Sequence, residues 1–138
     1  MITGDNSITA ETIARKVEII KNEKAITGAE LRKMSDSELR KAVKETAVFA
    51  RVVPEDKMRI VEALKQNGEV VAMLGDGVND APALKYAHIG IAIGKQGNQV
   101  SREAADLILT DDNFSTIIES IHDGRRIYDN IKRRLVMS

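Results

Sequence analysis

Short apolar runs alternate with amphipathic stretches along the chain, and this alternation constrains the fold more than any other feature. The run at residues 70–74 contains no polar side chain, which is typical of a parallel strand with both faces covered. Before it, Met58, Val61 and Leu64 recur at helical spacing behind Pro54, a favoured first residue of a helix. Strands that alternate with helices predict an α/β fold with a mostly parallel sheet.

The same patterns predict the individual elements. Strands are expected at residues 24–27, 46–50, 69–74, 89–93 and 107–109. Helices are expected at residues 7–21, 29–34, 36–45, 54–66, after Pro82, between the last two strands, and from residue 114 onward. The apolar stripe of the last helix is not followed by a terminating Gly or Asn, so we expect the chain to be cut inside that helix.

Composition narrows the class of protein. The 138 residues are about the length of one domain. Because 21 basic residues balance 21 acidic ones, general nucleic-acid binding is disfavoured. The chain has no cysteine, so disulfides and cysteine nucleophiles are excluded. No apolar run approaches the roughly 20 residues of a membrane-spanning helix. The first residues lack the basic and apolar regions typical of a signal peptide, so we expect these residues to be soluble.

An acidic, glycine-containing loop carries the strongest chemical signal. The run Gly75-Asp76-Gly77-Val78-Asn79-Asp80-Ala81-Pro82 follows a predicted strand, so it lies at a carboxyl end of the sheet, where open α/β folds bind ligands. Asp76 and Asp80 can both point into one crevice there, and carboxylate oxygens suit Mg²⁺. A turn stabilised by Asn and Asp side chains is the alternative. An EF-hand is excluded, because Val78 stands where a ligand is required.

Two weaker signals lie elsewhere. Thr3-Gly4-Asp5 offers a hydroxyl and backbone N–H groups that can hold phosphate oxygens, although an ordinary turn between a strand and a helix has the same composition. Lys57 lies in the first turn of a predicted helix, where the helix dipole disfavours a cation. Either it pairs with Glu55 or Asp56, or it points into the crevice as a charge for a phosphoryl group.

Together these segments resemble the phosphorylation domain of P-type cation-transporting ATPases, a family of the haloacid-dehalogenase-like superfamily. The resemblance rests on residues 1–5, 48–57 and 75–84, and extends to residues 104–106, 110–114 (Thr-Asp-Asp-Asn-Phe) and 124–131 (Gly-Arg-Arg-Ile-Tyr-Asp-Asn-Ile). The last two stretches are most similar to the calcium-transporting branch of the type II pumps. The resemblance implies a haloacid-dehalogenase-like, Rossmannoid α/β fold, with a parallel sheet and helices on both faces.

The resemblance also implies a mechanism. In the family, ATP phosphorylates an aspartate, which is dephosphorylated as the ion crosses the membrane. Asp76 would bind Mg²⁺, Asp80 would lie behind it and orient the site, and Lys57 would neutralise charge on the phosphoryl group. These roles agree with phosphoryl transfer, which depends on positioning and charge stabilisation.

Five further residues receive roles from the same resemblance. Those expected to contact the phosphoryl group are Thr3, Gly4 and Asn79. Those expected to lie toward the nucleotide are Asp5 and Arg51.

The Asp-Lys-Thr-Gly-Thr run that holds the family's nucleophile is missing from these residues. In the family this run ends the central strand of the sheet, so we expect a domain that lacks its first strand and is inactive alone. Open sheet edges would then favour self-association. Residues 1–112 would form the C-terminal part of the phosphorylation domain, and residues 113–138 a final helix leading into a membrane stalk. The partners would be the N-terminal and membrane parts of the same pump, with this domain on the cytoplasmic side.

Two other functions remain open. A freestanding phosphatase of the superfamily would need a catalytic aspartate before Thr3, and none precedes it here. A non-catalytic interaction module would keep the fold without the chemistry. The identity of the transported ion is not determined, because its ligands would lie in membrane helices outside these residues. His88 and His122 are expected to be structural or surface residues.

Overall fold

The computed structural model describes residues 1–75, 78–94, 99–110 and 113–136. Its helices are α1 (Ser7–Lys16), α2 (Gly28–Lys33), α3 (Asp36–Glu45), α4 (Pro54–Gln66), α5 (Ala81–Tyr86), α6 (Gln99–Ala104) and α7 (Phe114–Val136). Its strands are β1 (Ile26–Thr27), β2 (Phe49–Ala50), β3 (Ala72–Gly75), β4 (Ile89–Ile93) and β5 (Leu107–Leu109), and Val78–Asp80 forms a 3-10 turn. Strands alternate with helices, as the sequence predicts.

The strands pair in parallel and fall into two sheets. One sheet pairs β1 with β2, and Ile2 forms a single parallel bridge to Phe49 of β2. In the other sheet β4 lies between β3 and β5. Within the described residues, Ile2 and β3 each have one edge without a strand partner. The predicted parallel α/β fold is therefore confirmed, in a form whose sheet is divided in two.

Helix α4 connects the two sheets because its opposite sides pack into different cores. Ile60 and Ala63 pack with Phe49 in the core beside β2, whereas Val61 packs with Met73 in the core beside β3. Ile60 and Val61 are each 1% exposed, and full burial of such a side chain contributes roughly 1.5–3 kcal/mol. The position of α4 therefore sets how the two sheets lie relative to each other.

Helix α1 is shorter than the predicted helix at residues 7–21. The chain leaves the helix at Glu18, whose φ of 59° is left-handed. The Glu18 N–H donates to the Arg15 carbonyl and the Ile19 N–H to the Ala14 carbonyl, at 3.1 and 2.8 Å. These two bonds form a Schellman motif, the usual way to satisfy the last carbonyls of a helix. The prediction ran too far because the left-handed residue is a glutamate and not the usual glycine.

The expectation that both faces of the strand near residues 69–74 are covered is wrong. Met73 points toward α5 and packs with Leu84, so this face is buried. Ala72, on the opposite face, is exposed, and Val70 just before the strand is 81% exposed. The apolar run is therefore covered on one face only, because α4 and α5 lie on the same side of the sheet.

Helix α7 extends away from the rest of the molecule. Every side chain from Ile118 to Arg133 is exposed, including those of its apolar stripe. Among the helices that the structure describes, none combines the length and the apolar composition needed to cross a membrane.

Candidate functional site

An ion pair at the carboxyl end of β3 joins Lys57 to Asp80. Lys57 projects from the first turn of α4, and its ammonium group donates to Oδ1 of Asp80 in the 3-10 turn before α5. The two side chains are 14% and 12% exposed, so water screens the pair only weakly. Lys57 therefore points to the acidic loop, and its carboxylate partner is neither Glu55 nor Asp56.

Gly75 makes room for this pair. A Cβ at position 75 would lie 2.6 Å from Cβ of Asp80 and 2.8 Å from its Oδ2, which is closer than real side chains approach. The Asp80 side chain therefore folds back over the last residue of β3, and only glycine fits beneath it. A glycine that ends an apolar run is the sequence signal for such a close approach, although the sequence alone does not identify the group that approaches.

The Thr3-Gly4-Asp5 turn lies at the carboxyl end of the other sheet. The Asp5 N–H donates to the Thr3 hydroxyl at 3.1 Å, and a hydroxyl that accepts one bond keeps its own proton to donate elsewhere. The Arg51 N–H donates to the Asp5 carbonyl at 2.9 Å, and Arg51 has a left-handed φ of 52°. Gly4, Asp5 and Arg51 are exposed, so the two residues expected to face the nucleotide lie side by side at the surface.

Backbone hydrogen bonds connect this turn to the ion pair. The Val52 N–H donates to the Thr3 carbonyl at 3.3 Å, and the Lys57 N–H donates to the Val53 carbonyl at 3.2 Å. Lys57 then contacts Asp80 through its side chain. The structure thus brings the Thr3 turn, the start of α4 and the acidic loop into one continuous group.

Two predicted site residues remain to be placed. Asn79 lies in the same 3-10 turn as Asp80 and is exposed. Asp76, the predicted Mg²⁺ ligand, lies outside the described residues. Within the described ranges, no three His, Cys, Asp or Glu side chains cluster as metal ligands would. The Asp80 carboxylate lies against Gly75 at the end of β3, and carboxylate oxygen is the donor type that Mg²⁺ prefers.

Asp56 is a site neighbour that the sequence did not reveal. Its carboxylate is buried, at 1% exposure of the residue, and it accepts hydrogen bonds from the Val53 N–H and from the Arg32 guanidinium. Position N3 of a helix, three residues after the N-cap, is where an acid returns to cap the helix. That position predicts the bond to Val53, whereas the partner in α2 is visible only in three dimensions.

His88 has a structural role. Its imidazole Nδ1 accepts from the Val71 N–H at 3.1 Å, and the backbone N–H of His88 donates to the Val71 carbonyl at 3.0 Å. These bonds hold together the starts of β3 and β4.

Comparison with known protein families agrees with this geometry. The haloacid dehalogenase-like hydrolase family matches residues 1–88, and a second family of the same description matches residues 57–121. The chain therefore belongs to the haloacid dehalogenase-like hydrolases.

Within that class, the chain is similar to cation-transporting ATPases. It is 55% identical to "Calcium-transporting ATPase 1" of Schizosaccharomyces pombe over 96% of the chain, and 49% identical to the "Calcium-transporting ATPase" of Bacillus subtilis, also over 96%. The chain spans only 16% and 15% of the lengths of these two relatives. The resemblance to P-type cation-transporting ATPases is thereby confirmed.

A solved structure gives the same result. This chain superposes on the catalytic domain of the CPx-ATPase CopB-B with a TM-score of 0.62 at 29% sequence identity. That structure was solved to show conformational changes of the domain upon nucleotide binding. The match covers 87% of this chain and 37% of that domain's chain. The haloacid-dehalogenase-like fold predicted from the sequence is therefore confirmed.

Proposed function

We propose that this chain is the Mg²⁺-binding, phosphoryl-handling part of an ATP-driven cation pump that cycles through an aspartyl phosphate. The observation that carries the proposal is the partly buried Lys57–Asp80 pair at the carboxyl end of β3. The names of the relatives favour Ca²⁺ as the transported ion.

Lys57 supplies positive charge where negative charge develops during phosphoryl transfer. Asp80 holds its ammonium group, so little side-chain freedom is lost when an anion arrives. The Thr3 hydroxyl and the Gly4 N–H donate to phosphoryl oxygens, and the exposed amide of Asn79 donates from the acidic loop. These groups position and stabilise the transferring phosphoryl group without reacting with it.

The acidic loop would hold the metal. Asp76 would hold Mg²⁺, and Asp80 would orient the site from behind it. When bound, Mg²⁺ neutralises phosphoryl oxygens as they gain charge. Asp5 and Arg51, adjacent at the surface, face the nucleotide.

The remaining machinery belongs to other parts of the same pump. The nucleophilic aspartate comes from an Asp-Lys-Thr-Gly-Thr segment, and the membrane parts bind the ion. Residues 1–112 are the C-terminal part of the phosphorylation domain and lie on the cytoplasmic side, while residues 113–138 lead into a membrane stalk. The chain alone, incubated with labelled ATP and Mg²⁺, is therefore expected to form no acid-stable phosphate.

The full-length protein that contains this chain provides the decisive test. Lys57→Ala is expected to lower phosphoenzyme formation from labelled ATP by about 100-fold, the usual loss when one charge-stabilising donor is removed. Asp76→Asn is expected to raise the Mg²⁺ concentration needed for half-maximal phosphorylation, because an amide oxygen binds the ion more weakly than a carboxylate. Lys85→Ala, which removes an exposed lysine of α5, is the matched control and should leave the rate unchanged. Wild-type phosphorylation in the Lys57 variant would refute the proposal.

A further inference from the structure

A buried carboxylate next to Lys57 ties α2 to the start of α4. Oδ2 of Asp56 accepts from the Val53 N–H at 3.1 Å and also from the Arg32 guanidinium. The Asp56 side chain is 2% exposed, whereas that of Arg32 is 48% exposed. The Arg32–Asp56 pair is thus a charged contact between α2 and the first turn of α4, which also contains Lys57.

Gly28, the first residue of α2, closes this contact. A Cβ at position 28 would lie 2.4 Å from the Arg51 carbonyl oxygen, 2.7 Å from Oδ2 of Asp56 and 3.0 Å from Arg32. The backbone of α2 is therefore pressed against both the Asp56 carboxylate and the strained Arg51 turn. No side chain larger than that of glycine fits there without moving one of them.

The contact reaches the candidate site through two short steps. Val53 is the N-cap residue of α4, and its own side chain makes no capping hydrogen bond. Its N–H is held by the Asp56 carboxylate. Its carbonyl accepts the N–H of Lys57. The direction in which Lys57 leaves α4 therefore depends on a turn that Asp56 fixes.

Stability alone is a poor explanation for this pair. A buried ion pair contributes little net free energy compared with apolar residues of similar volume, because desolvation offsets the attraction. What the pair does provide is one defined geometry, because removing Arg32 leaves the buried Asp56 carboxylate without the charge that compensates it.

We infer that Asp56 and Arg32 are positioning residues that fix the first turn of α4 and so hold Lys57 against Asp80. The catalytic consequence of this inference rests on the proposed function, whereas the geometric part does not. The pair makes the placement of the Lys57 ammonium group depend on the position of α2.

The geometric part is tested on the 138-residue chain by NMR, reading the Lys57 ammonium signal and the Thr3 amide signal without any ligand. Arg32→Gln and Asp56→Asn should shift or broaden both signals, and Arg32→Lys should restore much of the wild-type spectrum. Asp36→Asn is the matched control, because it breaks another ion pair of α4, the one in which Arg59 contacts the exposed Asp36 of α3. It should leave both signals in place.

The outcomes separate cleanly. Unchanged Lys57 and Thr3 signals in folded Arg32→Gln overturn the inference. If Asp56→Asn unfolds the chain, Arg32→Gln decides, since its half-exposed side chain can be removed without opening the core.

The catalytic part is tested in the full-length protein. A displacement of about 1 Å in a positioned group can cost about 100-fold in rate, so we expect Arg32→Gln to lower kcat about tenfold, with Arg32→Lys recovering most of it. The KM for ATP should change less than kcat. NMR signals that move while kcat stays at the wild-type value would uphold the positioning inference and contradict the proposed role of Lys57.

Discussion

At the scale of single residues, the pairing of Lys57 with Asp80 has the clearest energetic consequence. Removing one member leaves the other charge largely buried and unpaired. We expect Lys57→Met to lower the free energy of unfolding by about 3 kcal/mol, measured by urea denaturation. The double variant Lys57→Met/Asp80→Leu should recover part of this loss, because neither charge then remains.

An exposed pair serves as the control for that prediction. The Arg126–Asp123 pair of α7 has side chains that are 74% and 64% exposed, so Arg126→Gln should change stability by less than about 0.5 kcal/mol. Equal effects of Lys57→Met and Arg126→Gln would show that burial does not strengthen the site pair.

Residue types and spacing predicted the candidate site but not its partners. Lys57 was a candidate because a lysine in the first turn of a helix opposes the helix dipole. Its nearest acids in sequence were the wrong partners, since Asp80 lies 23 residues away along the chain. The Arg32–Asp56 contact spans 24 residues. No periodicity links residues that meet only because α2 packs beside α4.

At the scale of elements, the end of α1 contains a removable strain. Glu18 occupies the left-handed position of the Schellman motif, where a non-glycine residue costs roughly 1 kcal/mol. We expect Glu18→Gly to raise the free energy of unfolding by about 0.5–1 kcal/mol. Glu18→Ala keeps a Cβ and should give no such gain. Thermal and urea melts of both variants measure the difference, and an equal gain from alanine would contradict the strain argument.

The capping boxes of α2 and α3 make these helices sensitive to acid. The Thr27 hydroxyl and N–H hold the pKa of Glu30 below its ordinary value, and the N–H and hydroxyl of Ser35 do the same for the pKa of Glu38. A carboxylate with a lowered folded-state pKa adds stability above its unfolded pKa, and this is lost as pH falls through the folded value.

We therefore expect the urea midpoint to fall between about pH 5 and pH 3. The variant Glu30→Gln/Glu38→Gln should show a shallower fall over the same range, because its amides do not titrate. Glu55→Gln removes an exposed carboxylate outside the two capping boxes and controls for net charge. An unaltered pH profile in the double variant would contradict this account.

Element boundaries were predictable where local signals were strong. The bounds of α3, β4 and β5 agree with the sequence prediction, since a Ser N-cap or an uninterrupted apolar run marks them. The strands near residues 24–27 and 46–50 shorten to β1 and β2, of two residues each. Apolar composition indicates where a strand can form, but its length depends on how far its neighbours run alongside it.

At the scale of the whole molecule, the main liability is the edge of β3 that has no strand partner among the residues that the structure describes. Unpaired strand edges with exposed apolar side chains promote association between chains. We expect the 138-residue chain to self-associate as its concentration rises, and Val70→Lys to reduce this, as measured by sedimentation velocity. Ile8→Lys removes an exposed apolar side chain of α1, 77% exposed against 81% for Val70, and should have a smaller effect. An equal reduction by both variants would contradict an edge-specific mechanism.

The division of the sheet was only partly predictable. The sequence predicted parallel pairing and open edges, and both are present in the described residues. It did not predict that a single helix, α4, would join the two halves, because burial on two sides is not visible in a stripe of apolar residues. Met58 and Val61 pack into the core beside β3, Ile60 and Ala63 reach the core beside β2, and Leu64 contacts both.

The projecting helix α7 has a mechanical consequence. Its 23 residues form a rod of about 34 Å, at 1.5 Å per residue. Every side chain from Ile118 to Arg133 is exposed, so no other element of the described part of the chain packs over that length of the helix. A tilt of about 10° at the Phe114 end would carry the opposite end through about 6 Å. The helix is thus a lever arm that amplifies small rotations at its Phe114 end into displacements the size of a side chain.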